Sequence, residues 1–310
     1  MTVIVRDFRP DDADGVVRVR RAALPFMVTT PDGIAFELAS ANPAKRFRIL
    51  VAEEDGEVIG TAQVGIAYDS AEPGQSFVNP YVRPERRGRG AGSLILRKAE
   101  DYLAAAGATA VYSWVLDEPP FRAFAERRGY RPSRPAHFLR LDLANGTLPP
   151  QAELPAGTEL RTAADFADDP RPLFEADAET TMDEPSDVGA EFTDYADWLN
   201  HTWNNPSLDR ELTTVVVVDG EVAAFSAAET DGLTRYSSAM TGTRRAFRGR
   251  GLAKLAKNAS LHRARAAGYT EAFTGNDADN GPMLAVNKWF GYEISATEVR
   301  HVKQLGEGSS

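Results

Sequence analysis

A chain of 310 residues exceeds one ordinary domain core and sets an expectation of two domains. Hydrophobic residues at 43% and charged residues at 26% describe a globular protein, no run approaches the roughly 18 apolar residues of a membrane span, and the start MTVIVRDFRP, running straight into DDAD, lacks signal-peptide anatomy, so a cytoplasmic protein without membrane contact is expected. The absence of cysteine excludes disulfides, thiolate metal sites and an acyl-cysteine intermediate, and His137, His201, His262 and His301 lack the i, i+4 spacing of paired ligands, so no metal is expected.

The net charge of -10 is uneven. Residues 1–145 hold 20 basic against 19 acidic side chains, and residues 146–310 hold 15 against 26. Such a surface repels phosphate backbones and predicts no nucleic-acid partner. The acidity of the second half serves either solubility or a cleft that attracts amines.

In chain order, a first strand is predicted over Val3–Arg6, followed by helices and by strands at Phe47–Ala52, Val58–Ala67 and Phe77–Val82. A helix then carries Ile95, Ala99, Tyr102, Leu103 and Ala106 on one stripe and closes near Gly107, before a strand at Ala110–Leu116, a short helix and a last strand. The segment ANGTLPPQAELPAG, Ala144–Gly157, has no periodicity and reads as a linker. The order then repeats: strands at Glu159–Arg161, Thr213–Val218 and Arg235–Thr243, a helix with Leu252, Leu255, Ala256 and Ala259 on one stripe closing near Gly268, and a strand at Glu271–Thr274. RGRGLA at Arg248 follows RGRGAG at Arg87 by 161 residues, and Gly291-Tyr292 follows Gly129-Tyr130 by 162. Two landmarks shifting together indicate a duplicated unit. The expected domains are 1–145 and 157–310, joined by a linker at 146–156, each an α/β sandwich.

The chemistry lies in Val82–Leu94, VRPERRGRGAGSL, and in its repeat Thr243–Leu255, TRRAFRGRGLAKL. A strand end, glycines and a helix start turn consecutive N–H groups into one concavity, and the helix N-terminus adds partial positive charge. That arrangement cradles a pyrophosphate. Arg86, Arg89, Arg244, Arg245 and Arg250 either add to that charge or are solvated surface. No G-x-x-x-x-G-K-[ST] loop occurs, and neither turn follows the chain's first strand with an acidic residue for a ribose.

These residues resemble the signature of the GNAT superfamily of N-acetyltransferases: Arg or Gln, two variable residues, Gly, one variable residue, then Gly or Ala, often after Val-x-Pro. Arg87, Gly90 and Gly92 match it, with Val82 and Pro84 in place; Arg248, Gly251 and Ala253 match it again, with Thr243 and Arg245 replacing that Val and Pro. The resemblance covers nearly the whole chain as a tandem pair, a layout similar to that of the mycothiol synthases, which acetylate a cysteinyl amine of a pseudodisaccharide. It implies two tandem GNAT-like domains, each a mixed twisted sheet flanked by helices. It also implies acetyl-CoA as cosubstrate, held by Met240, Thr241, Thr243, Arg248, Gly249, Arg250, Gly251, Leu252 and Ala253 in the second copy, and by Val82, Arg87, Gly88, Arg89, Gly90, Ala91 and Gly92 in the first. The amine then attacks the thioester directly in a ternary complex, which agrees with the absence of cysteine.

In this family the last helix often begins with Asn and carries a tyrosine that protonates the leaving thiolate. In the second copy Asn280 stands at the first place and Asn287 near the second, so these two are the candidate catalytic residues, the alternatives being a helix cap and a surface polar residue. The first copy has Glu118 and Ala125 there, and is expected to be structural or a non-catalytic acyl-CoA binder. On the acceptor side Glu179, Asp183, Glu184 and Asp187 either hold an ammonium or are solvated loop. Either Tyr195, Trp198 and Trp203 form a cation-binding wall, or Phe192, Tyr195 and Leu199 form a buried helical stripe. The expected enzyme acetylates a primary amine of a small cationic molecule, such as an aminosugar, as a monomer or homodimer; the alternative is a non-enzymatic acyl-CoA sensor.

Overall fold

The computed structural model describes residues 2–70, 72–183 and 194–306. The chain forms two compact units, and they do not follow the expected division into 1–145, 146–156 and 157–310. One unit joins the chain up to Ala136 to the segment from Ala296 onward; the other runs from His137 to Ser295.

In the N-terminal unit the elements are β1 (Ile4–Asp7), α1 (Ala13–Ala23), α2 (Pro31–Ser40), β2 (Arg48–Glu54), β3 (Glu57–Ile66), β4 (Gln75–Val82), α3 (Ala91–Ala105), β5 (Ala110–Leu116), α4 (Pro119–Glu126) and the start of β6 (Arg131–Asp142). Strands β1 to β5 lie side by side in chain order, antiparallel except for the parallel pair β4–β5. Successive residues of β2 point to opposite faces: Ile49 and Val51 pack with Val16 and Val19 of α1, while Leu50 and Ala52 pack with Ile95, Ala99 and Leu103 of α3. A sheet covered on both faces explains the unbroken apolar run in β2.

The C-terminal unit repeats the plan with β7 (Thr158–Thr162), α5 (Arg171–Thr181), α6 (Tyr195–Trp198, continued by a wider turn to Trp203), β8 (Thr214–Val218), β9 (Glu221–Thr230), β10 (Arg235–Thr243), α7 (Leu252–Ala266), β11 (Glu271–Asp277) and α8 (Gly281–Trp289). Here Val215 and Val217 of β8 face α5 and Trp198, whereas Val216 and Val218 face Leu252 and Ala256 of α7.

The division differs from the expected one because the last strands are exchanged. The strand beside β5 is the final one of the chain, β12 (Glu293–Gln304), whose Glu298–Gln304 pair antiparallel with Ala110–Leu116. Lys303 fixes it there through a 2.7 Å bond to Glu100. The later part of β6 lies beside β11 instead, where Arg140 pairs with Glu271 at 2.8 Å. The expected linker is also part of the C-terminal unit: Leu148 is buried, and the Pro149 and Pro150 carbonyls meet the His262 ring and accept from the Asn258 amide on α7.

Candidate active sites

In each unit two parallel strands part to open a cleft, and its position follows from strand pairing. Strands β4 and β5 pair only over Gln75–Phe77 with Ala110–Tyr112, and β10 and β11 only over Arg235–Ser237 with Glu271–Phe273. Beyond those points the paired strands part. Single side chains bridge the widening gap, Asn79 Oδ1 accepting from the Trp114 N–H at 3.1 Å and Thr274 Oγ1 donating to the Ser238 carbonyl at 3.0 Å. The far half of each strand, Val78–Val82 and Ser238–Thr243, is therefore bonded along one edge only, and the other edge faces the gap. In β10 the register against β9 shifts between Ser238 and Met240, which bends the strand where the gap opens. Met240 leans into the aromatic cluster of α5 and α6, and the Thr241 hydroxyl is engaged with Ser226 at 3.0 Å.

The glycine turns close the clefts. Arg87 and Arg248 each donate from Nε to the carbonyl that ends the strand, Val82 and Thr243, at 3.1 Å in both units. These arginines thus tie the turn to the strand. Gly90 and Gly251 immediately precede α3 and α7 at φ of +93° and +76°, with open space where a Cβ would stand. Ala91–Gly92 and Leu252–Ala253 follow as the first helical residues, with unpaired N–H groups directed at the concavity. A phosphate-bearing ligand fits this geometry.

The arginines divide by partner. Arg86 pairs with Glu54 and Glu57, and Arg244 with Glu179 at 2.9 Å. Arg245 and Arg248 share Asp183, and their hydrogen bonds hold its carboxyl down to about 2. Burial pulls the Glu179 carboxyl up, but the Arg245 N–H at 2.5 Å and the Arg244 guanidinium bring it below its ordinary value. Glu179 and Asp183 thus follow neither alternative, ammonium holder or solvated loop: both carboxylates are committed to arginines of the glycine-turn segment. Arg89 and Arg250 are exposed and, among the described residues, make no ion pair, which leaves their charge available to a ligand. Glu184, Asp187 and Phe192 lie outside the described residues.

The aromatic residues are a packed cluster rather than an open wall. Trp198 and Trp203 are buried and stacked at 5.8 Å, with Phe174 and Tyr195 against them. Their cationic partners are internal: Arg171 lies over Tyr195 and Arg210 over Trp203.

Asn280 caps α8, accepting from the Met283 N–H at 3.3 Å. Asn287 is fully buried, so the surface alternative does not hold. Its Oδ1 accepts from Lys257 Nζ at 2.6 Å, and its Nδ2 donates to Asn276 Oδ1. Lys257 was not singled out from the sequence. It is fully buried on α7, 4.8 Å from the centre of the Tyr292 ring, and burial lowers its ammonium to about 7. The signal was present in the repeat: Lys257, Asn276 and Asn287 follow Leu96, Val115 and Ala125 by 161, 161 and 162 residues. Those three N-terminal counterparts are apolar, and they line a cavity of about 540 Å³ that runs from the glycine turn at Gly88–Gly92 to Glu298 of β12. The C-terminal unit also holds an isolated, half-buried carboxyl, Glu229 of β9, opposite Ser237 where β10 leaves β11; desolvation pushes it up.

No described helix is long and apolar enough to cross a membrane. The sequence model of the Acetyltransferase (GNAT) family matches the chain twice, over residues 16–130 and 172–292. A mycothiol acetyltransferase of Nocardia farcinica is 32% identical over 90% of this chain and 89% of its own length. Two solved structures share the fold: a GCN5-related N-acetyltransferase from Sphaerobacter thermophilus (TM-score 0.71, 22% identity, 99% of this chain and 97% of that one), and a tandem GNAT protein from the clavulanic acid biosynthesis pathway (TM-score 0.73, 20% identity, 99% and 100%). With two matched domains, two glycine turns at helix N-termini and two parted strand pairs, the chain belongs to the GNAT family and is an acetyltransferase.

Proposed function

We propose that the chain transfers an acetyl group from acetyl-CoA directly to a primary amine of a small cationic acceptor, with the C-terminal unit carrying the reaction. The observation that carries this reading is the polar chain Lys257–Asn287–Asn276 in the C-terminal unit, its first two members fully buried, where the N-terminal unit has only Leu96, Ala125 and Val115. A fully buried lysine and two amides are costly to keep unless they meet polar chemistry. Each cradle, Arg87–Gly92 and Arg248–Ala253, receives the pyrophosphate, and the open edge of β4 or β10 receives the amide groups of the pantetheine arm. When bound, acetyl-CoA supplies the thioester. Asn287, its amide orientation set by Lys257 and Asn276, steadies the leaving sulfur, and Asn280 holds the start of α8 that carries it.

The acceptor class rests on the acidic excess of the second half and on the relatives. Mycothiol acetyltransferases cover most of this chain, so the cysteinyl amine of a mycothiol precursor leads the candidates, with aminosugars next. The test is a panel of amines with acetyl-CoA, with N-acetyl products identified by mass spectrometry. Because the protein has no cysteine, thiol reagents can also report released CoA without background from the enzyme wherever the amine carries no thiol. Turnover should be greatest with cationic amines, weaken with added salt and rise toward alkaline pH as the amine loses its proton. A neutral or anionic best acceptor would refute the cationic assignment, and binding of acetyl-CoA without any product would favour a sensor.

Asn287→Ala is expected to lower kcat for that acceptor about tenfold or more while changing KM for acetyl-CoA less, since its contact strengthens as charge develops on sulfur. Steady-state kinetics with the cofactor varied reads this directly. A change confined to KM would assign Asn287 to binding alone.

A further inference from the structure

We propose that the N-terminal unit is a second acyl-transfer site, in which the carboxylate of Glu298, delivered by the last strand of the chain, is the general base for a primary amine with an apolar body. The proposal rests on the reading that each glycine cradle holds acetyl-CoA.

Three observations converge. The cavity of about 540 Å³ is continuous from Gly88–Gly92 to Glu298, and lies within the roughly 300–1,000 Å³ of small-molecule sites. Its wall is mostly apolar, with Leu24 at the end of α1, Tyr81 at the end of β4 and Phe124 on α4, so it suits an acceptor without further charge. Glu298 lies opposite Leu116 in the β5–β12 pair, is partly buried, and its side chain makes no hydrogen bond or ion pair among the described residues. An unpaired carboxyl in such a wall costs stability, and structures retain such groups where chemistry uses them.

The charged groups around it are spoken for. Arg86 pairs with Glu54 and Glu57, Arg87 bonds to the Val82 carbonyl, and Arg128 donates to the Phe124 carbonyl and to Ser93, while Arg127 is exposed. Tyr130 donates to Glu100. Beyond Tyr81, Arg20 pairs with Glu37, which also accepts from Gln63. On β12 itself, Arg300 lies over the Tyr112 ring. Burial pushes the Glu298 carboxyl up to about 8, close to the value that suits a base at neutral pH, and its charge in turn raises the Tyr81 phenol, whose own burial is the larger cause.

In the step itself the amine lone pair attacks the thioester carbonyl, the C–N bond forms, and the C–S bond breaks with its electron pair leaving on sulfur. Glu298 takes the amine proton and passes it to the thiolate. The products are the amide and CoA, and no further reactant is consumed. Glu298 stands far along the chain from the rest of its cavity, so it is not among the equivalent positions of the two copies, Glu118 and Ala125 against Asn280 and Asn287.

The experiment uses the full chain carrying Gly251→Val, so that the C-terminal cradle is disabled, with acetyl-CoA and p-toluidine, an arylamine whose own ammonium titrates far below neutrality. Calorimetry should show acetyl-CoA still binding, and mass spectrometry should show N-acetyl product at a rate that rises through about pH 8. Adding Glu298→Gln should lower that rate about a hundredfold or more and remove the rise, with acetyl-CoA affinity retained; Glu298→Asp should recover part of it. Adding Gly90→Val should remove the product as well. Binding of acetyl-CoA without product, or a Gln variant with the same rate and pH profile, overturns the assignment of Glu298. Loss of acetyl-CoA binding in the Gly251→Val chain overturns the two-cradle reading itself.

Discussion

Gly251→Val is expected to abolish acetyl transfer to the cationic acceptor, by at least a hundredfold, in a chain that stays folded. The glycine sits at φ +76° immediately before α7, and no protein atom lies within 4 Å of where a Cβ would stand, so the side chain itself meets no clash. The damage comes from the backbone. A β-branched residue strongly disfavours the left-handed region, at a cost of about 1–2 kcal/mol, and relieves it by turning the peptide away. That rotation misdirects the N–H groups of Gly251, Leu252 and Ala253, which form the concavity. An anion bound by several such donors loses most of its affinity when they no longer converge. Calorimetry of the full chain should show two acetyl-CoA sites falling to one, both in this variant and in Gly90→Val. Only Gly251→Val should remove turnover of the cationic acceptor. If Gly90→Val removes it and Gly251→Val spares it, the working units are assigned in reverse.

Lys257→Met is expected to raise stability and lower activity together. The ordinary lysine value of 10.5 applies to the unfolded chain, and burial lowers it to about 7 in the folded one. Above pH 10.5 both states are neutral and the lysine carries no ionisation penalty. As pH falls toward 7 the unfolded state takes up a proton that the folded state refuses, and the penalty grows; below 7 it is complete. At 1.36 kcal/mol per pH unit it reaches about 5 kcal/mol as an upper bound. Methionine removes that penalty and keeps the apolar stem, but leaves Asn287 Oδ1 buried without its donor, at about 1–3 kcal/mol. The net gain is about 2–4 kcal/mol at pH 6, on the order of 5–10 °C in melting temperature, and it should shrink by roughly half or more by pH 9. Thermal melting across pH 6–10 checks both size and sign, since a pH-independent gain would mean that packing rather than charge is responsible. Turnover of the same variant should fall, because Asn287 loses the group that orients its amide.

The duplication, the two glycine turns and the sandwich of each half were legible in the chain because they rest on local physics. Glycines before a helix, an amphipathic stripe such as Ile95–Ala99–Leu103, and valine runs such as Val215–Val218 carry their conformation and burial in their own spacing. The roles of Glu179 and Asp183 were not legible, since a carboxylate's choice between a ligand's ammonium and the arginines at 244, 245 and 248 is made by distance across the fold. Lys257 was half legible. Its place in an apolar stripe shows only against Leu96 of the other copy, and its partner Asn287 lies 30 residues away. What only the tertiary structure decided is which sheet takes each final strand. Glu298–Gln304 and the later part of β6 are both extended, and nothing in a strand's own sequence names the edge it will pair with, because pairing is set by backbone hydrogen bonds that every residue type except proline offers alike. That exchange carries Glu298 to a cavity built otherwise by residues of the first half of the chain.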